Sequence, residues 1–144
     1  MFVEGISGSD GSGTGDDLER FLRAEEEYHR PLFERLPFVL ENYLVNYMFQ
    51  NLFPYGREGG TNLISRSIFD EYIRMATRFA WINGLLVGVA GYCKEAFAGE
   101  HVVQTIQSVV RTVEHYPDVL KSIDVSIRSR ELDSLQGMAV LLRS

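Results

Sequence analysis

The chain has 144 residues, with 14 Lys and Arg against 20 Asp and Glu, 45% apolar and 12% aromatic side chains, and one cysteine. That is enough for one globular domain, short for two, and too apolar for a disordered chain. A net charge of −6 supplies no basic stripe to release phosphate counterions, which excludes a general nucleic-acid binder, and the lone Cys93 excludes an internal disulfide and any multi-cysteine metal centre.

The charge is unevenly placed. Residues 1–41 hold ten acids and four arginines, while residues 42–144 hold ten acids and ten bases. An acidic N-terminal flank disfavours DNA and anionic membrane surfaces as partners. The cysteine usage fits a reducing cytoplasm.

Met1 to Gly15 is rich in glycine and serine and has few large apolar side chains, so it reads as a flexible lead-in ahead of a single all-helical domain over 16–144. Asp16 or Asp17 is suited to cap a first helix, along which Leu18, Phe21, Leu22, Glu25 and Tyr28 recur at helical spacing. Glu25, Glu26 and Glu27 are consecutive and so spread around that helix as a solvated face. Pro31 and Pro37 each remove a donor, which predicts a separate short helical turn over Leu32 to Leu36.

Phe38 to Phe53 predicts a helix with an apolar stripe wider than one face, hence buried on most sides. Asn42, Asn46 and Gln50, four apart, form a narrow polar strip with Glu41 beside it. Asparagine is a poor helix former, so the strip is either a solvent edge bonded to neighbours or a partner contact. Pro54, Gly56, Gly59 and Gly60 then break the chain into a loop carrying Arg57 and Glu58, an exposed charged pair. Arg57 and Glu58 read as ordinary surface ion pairs or, with Asn42 and Asn46, as the candidate partner-binding surface.

Ser67 is placed to cap the longest helix, predicted to reach about Phe97, with Asp70 and Glu71 in its first turn. Asn83 is the one polar side chain between Arg78 and Lys94. The fifteen residues from Phe79 to Cys93 fall short of the ~20 that span a bilayer, so the segment reads as a long central apolar helix around which a bundle packs. Ala80, Gly84, Gly88 and Gly91 line one side of it, which predicts close approach by a neighbouring helix, with a ligand cavity or a kink as the alternatives.

Val102, Val103, Ile106, Val109, Val110 and Val113 recur at three and four, which decides for helix over strand. Pro117 suits the first turn of a further helix, and Ser129 the start of a last one. The fold class is all-α.

Chemistry-bearing patterns are sparse. Asp10 to Gly15 superficially resembles the glycine-rich loop of class I methyltransferases, but nothing after it is β, so it reads as a linker. His29, His101 and His115 stand apart from one another and from any cysteine at ligand spacing, so no metal site is expected. Cys93 reads as an inert thiol in an apolar stretch.

The run LENYLVNYMFQNLFPYG at Leu40–Gly56, followed by SIFDEY at Ser67–Tyr72, resembles the C-terminal region of bacterial flagellin lysine-N-methylases, and the similarity extends from about Phe2 to the end of the chain. That family comprises longer proteins that transfer methyl groups from S-adenosylmethionine to lysines of flagellin. They carry an N-terminal cysteine cluster for an iron–sulfur centre. The resemblance implies a C-terminal piece acting as scaffold or substrate-docking region and inactive by itself. Cofactor chemistry would then lie in the remaining N-terminal part of the enzyme, with no catalytic, cofactor-binding or metal-binding residue in this fragment. The implied partners are flagellin and that N-terminal part. The competing class is a stand-alone helical ligand-binding domain, such as the effector domain of a transcription regulator, which needs an apolar pocket with a few convergent polar groups.

Overall fold

The computed structural model of the chain describes residues 12–54 and 68–143, and every regular element among them is helical. They comprise α1 (Ser12–Ala24), a π-helical turn (Glu25–His29), α2 (Arg30–Arg35), α3 (Phe38–Gln50), α4 (Ile68–Cys93), a 3-10 turn (Lys94–Ala96), α5 (Gly99–His115), α6 (Pro117–Ser129) and α7 (Leu135–Leu141). The expected all-α class is therefore what the chain adopts.

The first helix starts at Ser12, ahead of the expected caps. Asp16 lies within it and pairs instead with Arg20, one turn on, at 2.6 Å. Nor does Pro31 separate two helices. Ala24 and Arg30 both keep right-handed helical backbone angles, so α1 runs through the π turn into α2. The Arg30 N–H bonds the Glu25 carbonyl five residues back. Proline lacks a donor and its ring collides with the carbonyl four residues earlier. Widening the helix just before Pro31 accommodates both defects without ending it. Leu36, held out of the helical region by Pro37, ends α2.

α4 is 26 residues long and touches α1, the π turn, α3, α5 and α7. Its early turns carry Asp70, Glu71, Arg74 and Arg78, so its apolar character belongs to the later half. It stops at Cys93 rather than near Phe97, because Lys94 takes a left-handed φ of 50° that cannot continue a helix. The later half packs Ile82, Leu86 and Ala90 against Phe97 and against Val102, Val109 and Val113 of α5. The early half packs Ile73 and Ala76 against Ile127 of α6 and Met138 of α7.

Three expectations are corrected. α3 is not buried on most sides: Tyr47 is its one buried residue, whereas Phe38, Val45, Met48 and Phe49 are exposed. It contacts α4, and Val39, Leu40 and Tyr43 pack against the core cluster while Tyr47 is buried one turn on. Gly84 and Gly88 make no close approach, since a Cβ at either would meet nothing within 4 Å. Of the three glycines in that stripe, Gly91 alone meets a neighbour, Ala24 of α1. Finally, Ser129 ends α6 rather than starting the last helix. The capping hydroxyl is that of Ser134, which accepts the Gly137 N–H at 3.0 Å.

Candidate functional site

A groove of about 470 Å³ opens where the π turn and α2 face α3 and α4. Phe33, Leu40, Leu44 and Phe79 supply its apolar walls, with Pro37 closing one end of the α2–α3 connection. Four polar side chains, Glu25, His29, Arg30 and Glu41, and the amide of Asn83 also line it.

His29 and Asn83 are buried, with 7% and 4% of their surface exposed. The His29 ring packs on Phe33 with centroids 4.5 Å apart. Burial holds the imidazole below its usual pKa; the Glu25 carboxylate and the Asn83 amide oppose this, and Arg30 reinforces it. His29 is thus neutral at pH 7. Its Nε2 is out of solvent and has no hydrogen-bond partner. A buried polar atom in that condition is uncommon in native proteins and marks a place where function is worth seeking.

The local sequence explains the arrangement. Glu25 and His29 are the first and last residues of the π turn, and both reach the groove. π-helical turns are rare and concentrate at functional sites. Glu25 is therefore not simply part of a solvated face, although Glu26 and Glu27 are exposed.

Beside the groove lies a second polar cluster with a structural role. Glu71 is buried and pairs with Arg74 at 3.1 Å. The Arg78 guanidinium stands 5.0 Å from the centre of the Tyr47 ring, a cation–π contact. Burial raises the Tyr43 and Tyr47 hydroxyls above their usual pKa, and Arg78 partly offsets both. The cluster ties α3 to the early half of α4.

Of the residues singled out from sequence, Asn42 and Asn46 are exposed on α3, one turn apart, and do not line the groove. Glu41, next to them, does. Arg57 and Glu58 lie outside the described residues, as does Ser67. His101 serves α5, its Nδ1 accepting the Ala98 N–H at 3.1 Å, where a capping hydroxyl would otherwise stand. Cys93 is partly exposed at the end of α4. Sequence reasoning passed over His29. The signal was present, since Leu22, Glu25 and His29 follow one another at helical spacing and Asn83 interrupts an apolar run.

The residues do not fit the cofactors the resemblance implies. An iron–sulfur cluster takes several thiolates, and this chain has one cysteine. Ser12 to Gly15, the later part of the glycine-rich segment, form helical turns of α1 rather than a loop facing a nucleotide. Among the described residues no group of three or more His, Cys, Asp or Glu is arranged around a metal position, and no helix is long and apolar enough to cross a membrane.

The geometry defines an all-helical domain with a groove floored by a buried imidazole and amide. The chain belongs to the FliB lysine N-methylase C-terminal domain family, whose model matches residues 2–141. No curated protein and no solved structure matches it.

Proposed function

We propose that this domain is the scaffold or substrate-docking part of a cytoplasmic flagellin lysine methylase, with transfer from S-adenosylmethionine carried out by a part of the enzyme outside these residues. Family membership over residues 2–141 is the observation that carries this reading. The exposed amides of Asn42 and Asn46 support a docking role on α3, with Arg57 and Glu58 following in the chain. The groove suits a stand-alone effector-binding domain too, but family membership weighs for the methylase.

Titration of the chain with flagellin tests docking: saturable binding weakened by Asn46→Ala and by Arg57→Ala is the expected result. Wild-type affinity in both variants removes that surface and leaves a scaffold role. Calorimetry with S-adenosylmethionine tests the division of labour. Micromolar binding by this chain alone overturns the assignment of cofactor chemistry elsewhere.

A further inference from the structure

We propose that the outer face of α3 is a self-association surface, on which a second copy of this chain seats its own α3, the two helices running antiparallel about Val45. The inference goes beyond the docking reading above and stands without flagellin.

α3 is apolar on two faces. Tyr43 and Tyr47 turn toward Arg78 of α4. Phe38, Val45, Met48 and Phe49, with Leu52 in the turn that follows, are exposed. Spacings of seven, three and four put the four helical residues on one stripe. A helix apolar all round is normally buried, and no described element covers this stripe. The five side chains expose on the order of 500 Å² of apolar surface, so a pair buries about 1,000 Å², the size at which specific interfaces begin.

Charge selects the occupant. The chain carries a net charge of −6, yet α3 holds a single ionised side chain, Glu41. A partner recognised by its charge finds little there to pair with, whereas two like-charged copies repel least across an uncharged face. A two-fold contact must also be complementary to itself. The exposed amide of Asn42, at the edge of the stripe, meets that condition because an amide both donates and accepts.

Glu41 selects the direction. It stands four residues before Val45, so antiparallel helices crossing at Val45 hold the two carboxylates about 12 Å apart along the axis, beyond the ~8 Å Debye length. Parallel helices would set them side by side and align the two helix dipoles unfavourably. Asn46 lies about 100° round from Val45, off the seam, and remains open to flagellin.

Sedimentation velocity of the full chain tests the pairing. The expected result is a reversible species of twice the chain mass, with a Kd of roughly 10 μM, as suits an interface of about 1,000 Å². Raising salt from about 0.05 to about 0.3 M should tighten it by screening the repulsion between two acidic copies. Phe49→Lys and Val45→Lys, both on the exposed stripe, should each weaken it at least about tenfold. Leu18→Lys, on the exposed side of α1, should leave it unchanged. In a Cys93→Ser background, Val45→Cys copies should cross-link on oxidation, and Phe38→Cys copies, about 21 Å apart along the axis, should not.

A chain that stays monomeric up to about 0.5 mM, fifty times that Kd, overturns the second copy and gives the face to the part of the enzyme outside these residues. A dimer that both α3 lysine variants leave intact, or that Leu18→Lys breaks instead, places the contact elsewhere. Weakening by salt contradicts an uncharged seam, and cross-linking at position 38 rather than 45 overturns the antiparallel order.

Discussion

Gly91 of α4 faces Ala24 of α1 so closely that a Cβ at position 91 would lie 2.9 Å from the Ala24 Cβ. Ala24 is itself buried and has no rotamer by which to yield. The glycine is what allows α1, just before the π turn, to lie against α4. Gly91→Ala gains up to about 1 kcal/mol of helix propensity, but overpacking a tight contact costs about 1 to 3 kcal/mol. A net loss of roughly 1 kcal/mol is expected in urea unfolding, and an unchanged or raised midpoint contradicts the contact.

Gly88 should behave in the opposite way. It is exposed, and a Cβ there meets nothing within 4 Å. Gly88→Ala should therefore stabilise the chain by up to about 1 kcal/mol through helix propensity alone. The pair of glycines, less than a turn apart, makes a matched experiment in which the two signs must differ.

At the C-terminal end, Gly137 is buried, and a Cβ there would run into the backbone of Leu132, whose Cα would be only 2.6 Å away. Backbone cannot turn aside as a side chain can. Gly137→Ala should cost more than Gly91→Ala, about 3 kcal/mol. Ser134→Ala, which removes the hydroxyl accepting the Gly137 N–H, should cost about 1 kcal/mol. Thermal melts of the two variants check both the order and the sizes.

Burial holds the His29 pKa below its unfolded value of about 6.5. Between those two values the unfolded chain binds the proton more readily than the folded one, so this stabilising contribution is present above about pH 6.5 and is lost as the pH falls below it. His29→Gln should flatten that part of the acid limb. The comparison uses urea midpoints of wild type and variant between pH 7.5 and 5, where an equal slope in both contradicts a depressed His29. Direct NMR titration of the ring should give a midpoint below 6.5.

Helical periodicity is a local property, written in residues three and four apart, and it can be read without knowing what a helix packs against. The all-α class, the amphipathic valine face of α5 and Pro117 at the start of α6 were legible for that reason. The exposed Asn42 and Asn46 strip was legible too. Ends were harder, because Ser129 and Ser134 are equally suited to capping by type, and the chain uses the one whose hydroxyl meets the Gly137 N–H.

What the sequence by itself determined is therefore the helical class, most of the helices and the family resemblance carried by Leu40–Gly56. Tertiary structure decided the rest, because packing joins residues that no local pattern relates. Gly84, Gly88 and Gly91 look alike along the chain, and only the path of α1 distinguishes the one that touches Ala24. His29 and Asn83 are 54 positions apart and belong to different helical segments. They share a buried floor because Pro31 widens the helix into a π turn and α4 passes beneath it, and that shared burial is what keeps the imidazole neutral.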